Sequence, residues 1–296
     1  MSHPLPRMPG SYQNVPMREY LSWDFASSSS LREFAKNPAV YKWGLDNPEP
    51  EATLPPTLAG GAMALGTAIH ALLLEPERFD DECVALPELD FRKADDKERW
   101  FSIRDSNPGK TFLRPELFSK AEAIATAAKK NETVGQLLAA NGRQELSVIH
   151  EMQGVDGEMV PVKARIDLLV ESPDLNLVVD IKTTSSGGSS DEFARTISNF
   201  NYHRQAGLYS LVCRERSDLP DPQGFVYVVI ETTEPYLPEK VATYLLDKNE
   251  IAQGEEEIRK TLSRHARCVA EDVWPGHATG IKPISRPAWA WRKDEE

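Results

Sequence analysis

Two acids and a lysine set inside apolar runs are the residues of this 296-residue chain best suited to chemistry: Asp167 in ARIDLLV, and Asp180 with Lys182 in VVDIKTT. In a strand, residues two apart share a face, so Asp180 and Lys182 project together while Ile181 points the other way. An ionised carboxylate inside an apolar strand is costly unless a charge or a metal compensates it. Two hairpin strands could bring the acids together, and their repulsion then calls for a cation of the Mg²⁺ type, held by oxygen ligands. Lys182 would orient an attacking water or stabilise charge on a phosphoryl group. The plain alternative is a rim ion pair between Asp180 and Lys182, with Asp167 ending its strand in solvent. Spacing alone leaves both open, because D-x-K is too short a pattern to be specific.

Other residues bear on the choice. His70 lies in the apolar helix GTAIHALLL, where a hydrogen-bonded core histidine is the commoner case. Neutral imidazole is also a frequent metal ligand, and the small residues Gly66, Thr67 and Ala68 would let another element approach closely. Gln205 and Tyr209 in YHRQAGLY stand four apart, hence on one helical face. They form either an ordinary amphipathic face or a pair that fixes a nucleotide or the lysine. Glu145, in RQELSV, is either a solvated strand-edge acid or part of a site.

The elements that must position these residues can be read from periodicity. Helical signals fall at 29–36, 62–74, 115–140, 191–216 with a break near 199–201, and 248–270. ELSVIHEM, EMVPVKARIDLLVE and LNLVVDIKT read as strands joined by short turns, which suits an antiparallel meander. GFVYVVIET and 241–246 add two more strands. Phe91 to Lys110 is charged and irregular, and reads as an exposed excursion. NPEPEATLPP reads as a connector. The order describes one α/β domain with a mixed sheet and helical N-terminal additions.

Bulk properties set limits. The formal net charge of −12 argues against a protein that coats nucleic acid non-specifically, although a local basic strip would suffice for phosphate contact. Arg92, Lys93, Lys97, Arg99 and Arg104, or Lys163 and Arg165, could supply one. Three scattered cysteines suggest neither a disulfide framework nor a metal cluster, and a reducing compartment. The N-terminus lacks an apolar signal core, and no run approaches the roughly 18 to 20 apolar residues that span a bilayer. The expectation is a soluble cytoplasmic protein that does not enter a membrane.

Taken together and in order, GTAIHALLLEPERF, VKARIDLLV, VVDIKTT and YHRQAGLY resemble the RecE-type exonuclease VIII branch of the PD-(D/E)XK nucleases, from Ser27 to the WPG at Trp274. The resemblance implies a restriction-endonuclease-like mixed sheet flanked by helices. Residues 61–273 would form the nuclease domain, 1–60 a partly extended segment with a short helix, and 274–296 an irregular Trp- and Pro-rich tail. It further implies Asp167, Asp180, His70 and the Ile181 carbonyl as metal ligands, Lys182 as the catalytic lysine and Glu145 as a further acid. Gln205 and Tyr209 would position the site or DNA. The cofactor would be Mg²⁺, with Mn²⁺ able to substitute. The activity would be 5′-to-3′ digestion at ends of linear double-stranded DNA by a ring-like homo-oligomer, working with a single-strand annealing protein. Two alternatives stand beside it: a RecB-like or CRISPR-associated nuclease without an iron–sulfur cluster, and a non-catalytic DNA-binding scaffold.

Overall fold

The computed structural model describes residues 8–48, 61–277 and 280–286. The connector expected at 47–56 therefore lies largely outside the described residues, as do 278–279 and 287–296 of the tail expected at 274–296. The strands are β1 (Gly10–Tyr12), β2 (Cys83–Ala85), β3 (Thr111–Leu113), β4 (Gly142–Gln153), β5 (Met159–Glu171), β6 (Asn176–Thr184), β7 (Gly224–Glu231) and β8 (Val241–Leu245). The helices are α1 (Met17–Ser22), α2 (Ser28–Lys36), α3 (Pro38–Asp46), α4 (Gly61–Leu74), α5 (Phe79–Glu82), α6 (Ala94–Ser106), α7 (Pro115–Lys130), α8 (Glu132–Ala139), α9 (Ser190–Phe200), α10 (Tyr202–Glu215) and α11 (Lys248–Glu271).

One six-stranded sheet has the order β1-β4-β5-β6-β7-β8, and only its β6–β7 pair is parallel. The expected meander is β4-β5-β6. The parallel step to β7 needs a long crossover, which α9 and α10 provide. β7 sits inside the sheet with both faces covered, which is why GFVYVVIE is apolar without alternation. One sheet face packs on α2, α9, α10 and α11, and the other on α4, α7 and α8.

Capping residues explain where helices begin and break. Ser27 accepts from the Ser30 amide while the Ser30 hydroxyl accepts from the Ser27 amide, a reciprocal cap that starts α2. The single helix expected over 115–140 is two helices. Asn131 adopts extended backbone, its Oδ1 accepts from the Val134 amide, and its Nδ2 donates to the carbonyls of Pro238 and Val241. The excursion expected over 91–110 is also corrected. It contains α6, anchored by buried Trp100, whose ring meets Phe112 edge-on at 4.9 Å. Charge on the other faces hides that anchor from periodicity. The N-terminal segment is richer than one short helix, since β1 extends the sheet and residues before 48 add α1 and α3.

α10 is seated on α11 through facing glycines. A Cβ on Gly254 would lie 2.0 Å from the His203 carbonyl oxygen, and one on Gly207 would lie 2.4 Å from the Glu255 amide nitrogen. Glu257 on α11 then accepts from Arg204 Nε and pairs with His203 Nε2 at 3.1 Å. Burial works against the Glu257 carboxylate, but the bonds from Gln253, Arg204 and His203 outweigh it and hold its pKa down to about 2.

Gly254→Ala should lower stability by about 1–3 kcal/mol or more, because backbone must move to admit the methyl group. Gly44→Ala, at a helical glycine with nothing within 4 Å, should leave stability unchanged or raise it by up to about 1 kcal/mol. Thermal unfolding of both variants checks the contrast. A carboxylate with a lowered native pKa stabilises above its unfolded pKa, and loses that contribution as pH falls through the native value. Wild type should therefore lose stability relative to Glu257→Gln between about pH 4.5 and about pH 2, by roughly 1–2 kcal/mol after discounting for solvent screening. Denaturant titrations across that range measure it.

Candidate active site

The site forms where β5 and β6 part. Their ladder runs from Glu171↔Asn176 to Leu168↔Val179, and one further step in that register would set Asp167 opposite Asp180. There the ladder bond is replaced: the Ile181 amide donates to Asp167 Oδ2 at 2.7 Å. β5 also changes face at this point. Val162, Ala164 and Ile166 pack toward α10 and α11, whereas Leu168 and Val170 pack toward α4 and α7. On β4 the pairing steps from Gln144↔Leu168 to Leu146↔Ile166, and Glu145 between them holds φ of 46°. Left-handed backbone at a glutamate costs about 1–2 kcal/mol. Here it turns the carboxylate out of the strand's ordinary alternation and into a cavity of about 360 Å³.

His70, Glu145 and Asp167 converge in that cavity, each offering a ligand atom, all within 4.8 Å of one another. His70 reaches across from α4: its Nε2 lies 3.0 Å from the Ile181 carbonyl oxygen and its Nδ1 lies 3.6 Å from Asp167 Oδ2. A proton on Nε2, donated to that carbonyl, leaves the Nδ1 lone pair for a cation. The Ile181 carbonyl, expected as a ligand, meets the histidine through one lone pair and keeps a second. Burial pushes the Asp167 carboxyl up to about 7; His70 works against the shift, while Asp180 and Glu145 add to it. An arriving cation would supply the compensation that burial removes, and would take the place of the proton. One nitrogen and two carboxylates, partly buried and mutually repelling, fit a divalent metal ion.

Asp180 and Lys182 share the face expected of them, but they turn toward α10. Asp180 is buried, with Oδ2 2.5 Å from Lys182 Nζ and Oδ1 accepting from Gln205 Nε2 at 2.7 Å. Gln205 Oε1 accepts from Lys182 Nζ at 3.0 Å, and the ammonium lies 4.7 Å from the centre of the Tyr202 ring. Burial alone would lower the lysine's pKa, yet Asp180 and Asp167 raise it on balance, so Lys182 is a fixed cation. Tyr209 is buried against Phe225, and with Gln205 it lines the cavity. The rim ion pair weighed from the sequence is therefore a buried one, and Asp167 does not end its strand in solvent.

The basic strip expected at Lys163 and Arg165 is not free for phosphate. Lys163 Nζ donates to the carbonyls of Tyr20, Leu21 and Trp23. Arg165 Nη1 donates to the Val15 carbonyl at 2.7 Å, and its Nε pairs with Glu145. Sequence reasoning missed Arg165 and Glu75 as parts of the site. The signals were present in R-x-D, where Arg165 shares a face with Asp167, and in an acid directly after the histidine helix.

Residues 27–286 match the family described as a PDDEXK-like domain of unknown function (DUF3799). No curated protein matches the chain. A solved structure from Eubacterium rectale, whose description proposes an exonuclease, is similar with 15% identity and a TM-score of 0.57, covering 88% of this chain and 91% of the other. A phage related exonuclease from Haemophilus somnus 129PT has 14% identity and a TM-score of 0.34, covering 84% of this chain and 96% of the other. The first likeness is one of fold, and the second carries no argument. Matched over most of its length, and folded as a mixed sheet flanked by helices, the chain belongs to this PDDEXK-like family.

Proposed function

We propose that the chain is a divalent-metal-dependent deoxyribonuclease that hydrolyses phosphodiester bonds at the ends of linear double-stranded DNA. The observation that carries this reading is the meeting of His70, Glu145 and Asp167 beside the Lys182 ammonium. Mg²⁺ is the proposed ion, with Mn²⁺ able to replace it. Such an ion supplies a water nucleophile at neutral pH and offsets charge on the phosphoryl oxygens. Digestion from 5′ to 3′, a ring-like oligomer, a single-strand annealing partner and a cytoplasmic setting extend the proposal by family resemblance. No helix among the described residues is long and apolar enough to cross a membrane.

The chain's own residues divide the work. Asp167, aimed by the Ile181 amide, and His70, aimed by the Ile181 carbonyl, would hold the ion together with Glu145. Lys182, kept protonated by the two aspartates, serves as a fixed positive charge for a phosphoryl oxygen rather than as a base. Asp180 and Gln205 hold that ammonium in place, so Asp180 acts here through the lysine. Gln205 and Tyr209 shape the wall against which a nucleotide would lie.

Linear duplex labelled at one 5′ or 3′ end, incubated with and without Mg²⁺, tests the activity. Early release of the 5′ label only with metal is the expected result; early release of the 3′ label would reverse the polarity. No release would favour a non-catalytic DNA-binding role. Asp167→Asn and Lys182→Met should each lower the rate on the order of 10²–10³-fold. Only Asp167→Asn should also weaken Mn²⁺ binding, by at least about tenfold, and calorimetry separates the two variants.

A further inference from the structure

Glu145 would be a ligand to the ion, and in this structure it already has a cation. Arg165 Nε pairs with its Oε2, and both residues are buried. The guanidinium does not end there. Its Nη2 lies 3.8 Å from Oε2 of Glu75, a buried acid directly after α4, and Glu75 Oε1 accepts from Arg78 at 2.6 Å. Arg78 Nε in turn donates to Asp81 at 3.2 Å. The chain of alternating charges runs Glu145, Arg165, Glu75, Arg78, Asp81, and its first four members line the cavity that holds His70 and Asp167.

A buried carboxylate that loses its counter-charge is strongly destabilising. A divalent ion at Glu145 and a guanidinium on the same carboxylate repel each other across a few ångströms of partly dry protein. Arg165 therefore has two acids within reach and one reason to change its preference between them. The Val15 carbonyl, which accepts from Nη1 at 2.7 Å, restrains the head group so that a small shift toward Glu75 is the available motion.

We propose that Arg165 is a positioning residue that takes the metal's place at Glu145 and yields to Glu75 when the ion binds, so that the Glu145–Arg165–Glu75 chain sets the metal affinity of the site. The inference rests on the metal-site reading above. It assigns opposite effects to two buried residues of one ion chain. Removing Arg165 takes away the competitor and leaves the acids in need of a cation. Removing the charge of Glu75 takes away the alternative partner and leaves Arg165 more firmly on Glu145.

Mn²⁺ is titrated into the full chain without DNA, read by loss of the free-ion paramagnetic resonance signal and by the shift in melting temperature. Arg165→Met should melt lower than wild type without metal, bind Mn²⁺ roughly tenfold more tightly, and gain more in melting temperature on saturation. Glu75→Gln should bind Mn²⁺ about threefold or more weakly. A purely structural role would weaken both variants or change neither. If Arg165→Met folds and its Mn²⁺ affinity is equal to or below that of wild type, the proposal is overturned. If it does not fold, Arg165→Gln, which removes the charge but keeps a donor for the Val15 carbonyl, decides: tighter Mn²⁺ binding than wild type supports the proposal, and equal or weaker binding overturns it. Wild type that binds no Mn²⁺ would sink the metal-site reading and this inference together. Wild type that binds, with variants that bind alike, would sink the inference alone.

Discussion

Carboxylates placed where two strands separate must be compensated, and most of the arrangement around them follows from how that is done. Asp167 has the Ile181 amide and the His70 ring; Asp180 has Lys182 and Gln205; Glu145 has Arg165. The five partners come from four elements, α4, β5, β6 and α10, so the acids of β4, β5 and β6 draw both helices to one point. A buried acid without such a partner would simply remain protonated or open the fold. The β5–β6 fork therefore serves both as the opening that admits a ligand and as the place where the surrounding elements are charge-matched.

The same economy governs α10. Its Gln205 bridges Asp180 and Lys182, so its distance from β6 has to be correct to within a hydrogen bond's tolerance. That distance is set from behind, by the close glycine contact with α11 and the Glu257 bonds. The face of α10 away from the site thus controls the geometry of the face toward it.

The β-meander, the α9–α10 break, the histidine helix and the D-x-K strand were legible because each has a local cause: short turns, an asparagine that accepts left-handed backbone, period-3.6 apolarity, period-two alternation. The convergence of His70 with Asp167 was legible only through the company of motifs. What stayed hidden depends on contacts distant in sequence. The break at Asn131 uses carbonyls more than a hundred residues away. Trp100 anchors α6 against aromatic partners outside the helix. The burial of Lys163 and Arg165 is invisible in a strand that reads as basic on one face, since nothing local reveals that residues before 24 cover it.

That cover is attached in an unusual way. Lys163 and Arg165 grip it by main-chain oxygens of Val15, Tyr20, Leu21 and Trp23, and both also lie over the Tyr20 ring. An oxygen of this kind is supplied by every amino acid, so these hydrogen bonds make no demand on residue identity in the strap; that demand comes from Val15, Tyr20 and Trp23, whose side chains pack with Ile149. For the hydrogen bonds alone, the demand falls on the two cations of β5. The strap is therefore held like a belt in a buckle: positions such as Leu21, which offer only an oxygen, are free to vary, but the buckle cannot be changed.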